Sequence, residues 1–233
     1  MTGTLALVGS GEFLTGMRAI DAELLGRIAR GGRPHIAVIP TAAVPDGPAV
    51  VARWAALGQA HFAALGASVD VIPIGAGARA DDPAVAQRIA AAGLVYLSGG
   101  KPGFLLDTLR ETPAWAAILA VYAGGGVIVG CSAGAMALGA ALVAPRLGWP
   151  LATRPALGMV PGVLVLPHYD ALPGLLRGLA LRGLPEELTV VGIDEETALV
   201  QVDVGWQVQG RAGIELRRDG RRVRFGSGEI VTL

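Results

Sequence analysis

The sequence contains little of several residue types, and each shortage excludes a class of protein. Its 233 residues include a single cysteine, so an internal disulfide framework cannot form, which suits a reducing cytoplasm. Aromatic residues make up 5% and hydrophobic residues 52%, so small aliphatic side chains must fill the interior. Nineteen basic and nineteen acidic residues cancel, and no overall electric field attracts nucleic acid or an anionic membrane.

Long apolar runs are also missing. Gly, Pro or a charged residue interrupts every apolar segment before it reaches the length of a membrane span. The chain enters a strand-like segment at residues 5–8 without the basic leader and cleavage site of a signal peptide. We therefore expect a cytoplasmic protein that binds neither membranes nor nucleic acid.

Strand-like and helix-like segments alternate through the first two-thirds of the chain. This βαβ alternation is typical of a doubly wound, mostly parallel α/β sheet, and no linker or repeat interrupts it, so we predict a single domain over residues 1–233. From about residue 197, short β segments separated by turns predict a C-terminal antiparallel β extension. The predicted strands cover residues 4–9, 35–41, 68–74, 93–98, 126–131, 162–166 and 188–193, and the predicted helices cover 17–30, 48–66, 83–92, 103–122, 133–142 and 171–182.

The pentapeptide Gly-Cys-Ser-Ala-Gly at residues 130–134 is the strongest functional signal in the sequence. It follows an apolar run that predicts a buried strand and precedes an Ala-rich segment that predicts a helix. Strand, Gly-x-Ser-x-Gly and helix together indicate a nucleophile elbow, in which glycines permit a tight turn that exposes the hydroxyl of Ser132. Because the chain has only five serines, an accidental match is rare.

A nucleophilic serine needs a general base, and the sequence offers three histidines. His35 begins a predicted strand and His61 lies within a predicted helix, so we expect structural roles for both. His168 follows the predicted strand 162–166 at its carboxyl end, the edge of a parallel sheet where active sites form. We therefore predict that His168 is the base for Ser132.

A carboxylate should hold the histidine in the correct tautomer, and four acids compete for this role. Asp194, Glu195 and Glu196 follow the predicted strand 188–193, and neighbouring side chains of an extended backbone point to opposite sides. Asp170 lies two residues after the histidine. Spacing alone does not select one of the four.

Several motifs occur in the order found in one peptidase family. Around the elbow, residues 39–43 read Ile-Pro-Thr-Ala-Ala, 97–100 Leu-Ser-Gly-Gly, 167–169 Pro-His-Tyr and 192–198 Gly-Ile-Asp-Glu-Glu-Thr-Ala. Together they resemble the family of dipeptidase E and cyanophycinase over roughly residues 5–200. The chain order of nucleophile, histidine and acid also differs from that of α/β-hydrolases, which disfavours an ordinary lipase or esterase.

This resemblance implies a class I glutamine amidotransferase-like fold, with serine in place of the usual elbow cysteine. It implies a serine exopeptidase or isopeptidase that cleaves a small aspartyl peptide without a metal or cofactor. By similarity, Ser132 is the nucleophile, His168 the base and Glu195 the acid, and the backbone N–H groups of Gly100 and Ala133 form the oxyanion hole. A homodimer is compatible with this interpretation.

The residues expected to bind the substrate depart from the family pattern. Cyanophycinase-like members carry an arginine-rich run after the histidine, whereas Arg177 and Arg182 are the only nearby cations here, so we expect no action on cyanophycin. Lys101, after the Gly-Gly loop, is a candidate for binding a substrate carboxylate or a solvated loop residue. Glu12, after the first predicted strand, is a candidate for lining the pocket or a charge at a helix N-terminus. Cys131 is expected to be buried filler.

Two other functions fit the same residues. One is a non-peptidase acyl hydrolase that uses the triad on an ester or amide. The other is a catalytically silent binding protein that has kept the fold. The joint presence of nucleophile, base, acid and Gly-Gly loop favours an enzyme.

Overall fold

The secondary structure follows the chain with short connections. The computed structural model describes residues 3–28, 34–144 and 151–233, except for the side chains at positions 175–177, 179 and 180. The strands are Thr4–Val8 (β1), His35–Ile39 (β2), Ser68–Val71 (β3), Leu94–Leu97 (β4), Val127–Cys131 (β5), Ala141–Val143 (β6), Thr153–Pro155 (β7), Val163–Leu166 (β8), Thr189–Ile193 (β9), Thr197–Val202 (β10), Gly205–Gly210 (β11), Gly213–Arg218 (β12), Arg221–Gly226 (β13) and Ile230–Val231 (β14). The helices are Arg18–Ile28 (α1), Pro48–Ala64 (α2), Pro83–Ala90 (α3), Pro102–Leu109 (α4), Pro113–Ala123 (α5), Ala133–Leu138 (α6) and Gly174–Gly183 (α7), with 3-10 turns at Thr15–Met17 and Thr41–Asp46.

The central sheet has the strand order β14-β11-β10-β1-β5-β4-β2-β3. Five neighbouring strands, β1, β5, β4, β2 and β3, run parallel to one another. Strands β10, β11 and β14 pair antiparallel at the β1 side of the sheet. Strand β5, which carries the elbow, pairs with β1 on one side and β4 on the other. The prediction of a mostly parallel sheet with a C-terminal antiparallel extension is therefore confirmed.

Helices cover both faces of this sheet because side chains alternate along each strand. In β5, Val127 and Val129 pack in a cluster with α1 and α2. Ile128 faces the other way and packs in a cluster with α3, α4, α5 and α6. The sheet is thus doubly wound, as predicted. Within the described part of the chain, none of the helices is long and apolar enough to cross a membrane.

A second sheet has the strand order β13-β12-β9-β8. It contains β8 and β9, the last two strands of the βαβ series. Strands β8 and β9 are parallel to each other, and β12 pairs antiparallel with β9 through Leu216 opposite Val191. They do not extend the central sheet because β10 already pairs with β1, through Leu199 opposite Leu7. The C-terminal extension consequently contributes to both sheets, a division that the strand pattern alone did not predict.

The helix predicted over residues 133–142 is shorter than expected. It ends at Leu138, and β6 starts at Ala141 and pairs antiparallel with β7. Gly139 lies against the chain of β8, where an added Cβ would come within 2.8 Å of the Val163 carbonyl oxygen. The next residue, Ala140, donates its N–H to that same oxygen. This backbone contact with β8 stops the helix.

Close backbone packing holds α6 against the sheet. A Cβ on Gly130 would lie 2.6 Å from the carbonyl carbon and oxygen of Gly134. A Cβ on Gly134 would in turn overlap the carbonyl oxygen of Leu97 in β4. The two glycines of the pentapeptide therefore let the helix approach β5 and β4 more closely than any side chain would allow.

Replacing Gly134 by Ala should destabilise the protein, because the new methyl group meets backbone atoms that cannot turn away. We expect a loss of about 1–3 kcal/mol in the free energy of unfolding, measured by urea denaturation. Gly26→Ala is the matched control, since position 26 is exposed on α1 and an added Cβ there meets nothing within 4 Å. That change should stabilise the protein by up to about 1 kcal/mol. Equal effects of the two changes would contradict the packing argument.

Candidate active site

Ser132 occupies the turn between β5 and α6. Its backbone has φ 51° and ψ −109°, a region that non-glycine residues rarely adopt. The conformation costs about 1–3 kcal/mol and persists only where the surroundings enforce it. Here the N–H of Ser132 donates to the carbonyl of Val8 in β1 at 2.9 Å. The strained turn leaves the serine hydroxyl accessible at the carboxyl edge of the sheet.

His168 connects the serine to an acid. Its Nε2 lies 3.0 Å from Ser132 Oγ, and its Nδ1 lies 2.9 Å from Glu195 Oε1. In the tautomer that satisfies both contacts, Nδ1–H donates to the carboxylate and Nε2 accepts from the hydroxyl. The backbone of His168 also has a positive φ of 51°, which turns the ring from the end of β8 towards the elbow. The three side chains thus form a continuous chain of hydrogen bonds.

The other three acids that the sequence left open have different partners. Asp194 is fully buried, accepts from the Gly213 N–H at 3.2 Å and forms an ion pair with Arg224. Glu196 lies 3.7 Å from Arg211. The Oδ1 of Asp170 accepts the N–H of Glu195 at 2.9 Å, so it fixes the backbone of that residue without contacting the histidine.

The Gly-Gly loop after β4 lies beside the serine. Gly100 has φ 138°, and a Cβ there would overlap the Ala42 carbonyl, which accepts the Lys101 N–H at 2.7 Å. The N–H of Gly99 donates to Glu12 Oε1 at 2.9 Å. No acceptor among the described residues takes the N–H of Gly100 or Ala133, the two groups predicted to form an oxyanion hole. Both N–H groups are therefore available to a ligand.

Glu12 is buried beneath the site and not free to reach a substrate. Its side chain accepts from Gly99 through Oε1, and its Oε2 accepts from the Cys131 thiol at 3.0 Å. Burial raises the pKa of the Cys131 thiol well above its usual range, and the neighbouring Glu12 carboxylate raises it further. The thiol consequently stays protonated and serves as a hydrogen-bond donor, in agreement with its predicted structural role.

A cleft of about 560 Å³ opens above the serine. Ser132, His168 and Glu195 line it on one side, and Leu14, Trp54 and Leu57 supply an apolar wall. The only cation among its described lining residues is Arg53. Arg53, Trp54 and Leu57 all belong to α2, in the middle of an Ala-rich helix with no motif around them, so sequence reasoning missed them.

The cations proposed from the sequence lie away from the cleft or outside the described residues. Lys101 is not among the described residues that line the cleft. Its side chain is 62% exposed, and its Nζ lies 3.4 Å from Asp46 Oδ1. The side chain of Arg177, on α7, lies outside the described residues. Arg182 lines a separate pocket between α7 and the second sheet.

The two remaining histidines contact groups outside the cleft. His61 is buried, and its Nε2 lies 2.8 Å from Asp21 Oδ2, which links α2 to α1. His35 lies at the start of β2, with its Nδ1 3.0 Å from Ser68 Oγ of β3. Among the described residues, no group of three or more His, Cys, Asp or Glu side chains could hold a metal ion.

Comparison with known proteins agrees with the geometry of the cleft. The sequence model of peptidase family S51 matches residues 5–208. The chain belongs to peptidase family S51. This serine-type peptidase is therefore a member of the dipeptidase E and cyanophycinase family, as the motifs predicted.

Solved structures resemble the S51 peptidase described above over almost its whole length. A peptidase from an acI-B1 Actinobacterium is 32% identical, with a TM-score of 0.89, and the match covers 100% of this chain and 98% of that one. A Listeria monocytogenes EGD-e protein described as a peptidase E is 20% identical, with a TM-score of 0.66, and the match covers 91% of this chain and 100% of that one. The second likeness is one of fold. No protein in a search of curated proteins matches the chain.

Cys131 should not react with thiol reagents in the native peptidase, because its thiol is buried and protonated. We expect no reaction with 5,5′-dithiobis(2-nitrobenzoate) at pH 8, and one equivalent released per chain in guanidinium chloride, since the chain has one cysteine. Iodoacetamide should likewise leave activity intact. Rapid native labelling accompanied by inactivation would show that the thiol faces the cleft.

Proposed function

We propose that this S51 peptidase hydrolyses a small aspartyl peptide through an acyl-enzyme on Ser132. The observation that supports this proposal is the chain of hydrogen bonds from Ser132 Oγ to His168 Nε2, at 3.0 Å, and from His168 Nδ1 to Glu195 Oε1, at 2.9 Å. Nucleophile, base and orienting acid at these distances are what acyl transfer requires.

Acylation begins when the peptide carbonyl carbon lies against the serine. Ser132 Oγ attacks this carbon while its proton passes to His168 Nε2, and Glu195 stabilises the imidazolium that forms. The carbonyl oxygen gains negative charge, and the N–H groups of Gly100 and Ala133 bind this oxyanion. When the tetrahedral intermediate collapses, the C–N bond breaks and the leaving amine takes the proton from Nε2. The acyl group remains as an ester on the serine.

Deacylation reverses the roles with water in place of the amine. His168 takes a proton from water, and the resulting hydroxide attacks the ester carbon. The same two N–H groups hold the second oxyanion. The C–O bond to Ser132 breaks, the serine oxygen recovers the proton from the imidazolium, and the acid product leaves.

The preference for a small substrate follows from the size of the cleft. The cleft, of about 560 Å³, accommodates a short peptide. Arg53 is the one cation among its described lining residues, which is too few to bind a polymer rich in charged side chains. We therefore propose an exopeptidase of short acidic peptides with no action on cyanophycin. A cytoplasmic location fits its single, unpaired cysteine.

A substrate panel tests the proposed activity. Purified protein should hydrolyse Asp-X dipeptides or β-aspartyl peptides, and a fluorophosphonate probe should label it on Ser132. Ser132→Ala should abolish both hydrolysis and labelling, and the rest of the fold should keep its stability.

The panel also separates the alternatives. Hydrolysis of short esters with no aspartyl peptide cleaved would identify a non-peptidase acyl hydrolase. A protein that neither reacts with the probe nor cleaves any member of the panel would be a silent binding protein.

Replacing the acid of the triad should slow acyl transfer without unfolding the protein. Glu195→Gln should lower kcat on an Asp-X dipeptide by on the order of 10²–10⁴-fold, because the amide cannot stabilise the imidazolium. Glu196→Gln is the matched comparison, since this adjacent acid is near Arg211 and does not contact the histidine. We expect its kcat to fall by less than about tenfold. A larger loss at position 196 would reassign the acid.

A further inference from the structure

Acidic side chains outnumber basic ones among the described residues that line the cleft. Four carboxylates line it, from Glu12, Asp46, Glu195 and Glu196, against the single described cation, Arg53. An excess of acid would repel an acidic substrate unless the protein itself occupies these carboxylates. The partners of each acid therefore decide which kind of ligand the cleft accepts.

Every one of the four carboxylates has a partner within the protein. Glu12 accepts from a backbone N–H and a thiol, and Glu195 accepts from the histidine. Asp46 lies 3.4 Å from Lys101, and Glu196 lies 3.7 Å from Arg211.

Arg53 is the exception among the charged groups of the cleft. Its side chain is exposed on α2, and it has no hydrogen bond or ion pair with any residue in the described ranges. A guanidinium offers five N–H donors in a planar fork that matches a carboxylate in two parallel hydrogen bonds. Arg53 is therefore the cation of the cleft that lacks a partner among the described residues, whereas each lining carboxylate already accepts a hydrogen bond or lies near a cation.

The surroundings of Arg53 strengthen such a contact. Trp54 and Leu57, from the same helix, and Leu14, from the loop after β1, form the apolar wall of the cleft. Leu14 and Leu57 are 53% and 39% exposed, so a bound ligand would cover apolar surface next to the guanidinium. Excluding water around an ion pair raises its strength, because the local dielectric constant falls.

We propose that Arg53 binds a carboxylate of the peptide substrate and thereby determines the specificity of the enzyme. This role rests on the proposed peptidase function and replaces Lys101, whose ammonium group is already near Asp46. The carboxylate comes either from an acidic side chain at the cleaved bond or from the C-terminus of a short peptide. Both sources have the same chemistry and can be separated by choice of substrate.

Steady-state kinetics on three substrates test the proposal: Asp-Leu, Asn-Leu and the C-terminal amide of Asp-Leu. Arg53→Gln should lower kcat/KM for Asp-Leu by about 10–100-fold, mostly through KM, since a charge-assisted bidentate contact is lost. If Arg53 binds the side chain, the substitution should lower kcat/KM for Asn-Leu much less than for Asp-Leu. If it binds the C-terminus, the substitution should lower kcat/KM for the amide much less than for Asp-Leu. Arg53→Lys, which keeps the charge without the fork, should be intermediate.

Two further variants serve as comparisons. Arg79→Gln removes an arginine that is 79% exposed in a loop outside the cleft and should leave all three substrates unaffected. Lys101→Gln should affect them less than Arg53→Gln does. Equal losses on all three substrates with Arg53→Gln, or a larger selective loss with Lys101→Gln, would overturn the assignment.

A binding measurement keeps this assignment separate from peptidase activity. Succinate should slow the fluorophosphonate labelling of the wild-type enzyme more than succinamide does, and Arg53→Gln should remove the difference. This result would support the carboxylate site even if the wild-type enzyme cleaved none of the three peptides, in which case the proposed peptidase substrate alone would be wrong. Protection by succinate that survives in Arg53→Gln would overturn the carboxylate site.

Discussion

The distance between helix α6 and strands β4 and β5 controls the position of the serine and of the backbone N–H groups beside it. Gly130 and Gly134 allow backbone to touch backbone, and no side chain could fit between them. Because the helix is so close, Ser132 must turn sharply, and its strained φ of 51° is imposed by packing on both sides. The free N–H of Ala133 and the Gly-Gly loop after β4 are brought beside the hydroxyl by the same contact. The site is therefore held by direct contact between backbone segments.

A buried hydrogen-bond network fixes the other side of the serine. The carboxylate of Glu12 bridges the loop after β4, through the Gly99 N–H, and the end of β5, through the Cys131 thiol. Leaving either donor unsatisfied in the interior would cost about 1–3 kcal/mol. Glu12 thus ties the loop after β1 to the loop after β4 and to the end of β5 at the carboxyl edge of the sheet. The lone cysteine, although adjacent to the serine, is buried and donates its thiol to this network.

Local patterns in the sequence were enough to predict the elbow, the strand alternation and the position of His168, since each depends on residues that are close together in the chain. Spacing left the acid open among four candidates, because Asp194 and Glu195 differ only in which way an extended backbone turns them. The sequence also missed the second sheet, which exists because β10 occupies the free edge of β1. No motif around Arg53 indicated that it lines the cleft, because its position there depends on how α2 packs and not on its neighbours in the chain.

The two sheets have a consequence for how the enzyme acquires its reactivity. Ser132 follows a strand of the central sheet, His168 follows a strand of the second sheet, and Glu195 lies in the link that leads from one sheet to the other. A chain that has formed only the parallel strands β1 to β5 holds Ser132 without the histidine beside it. The three side chains of the hydrogen-bonded chain therefore come together only when both sheets have formed.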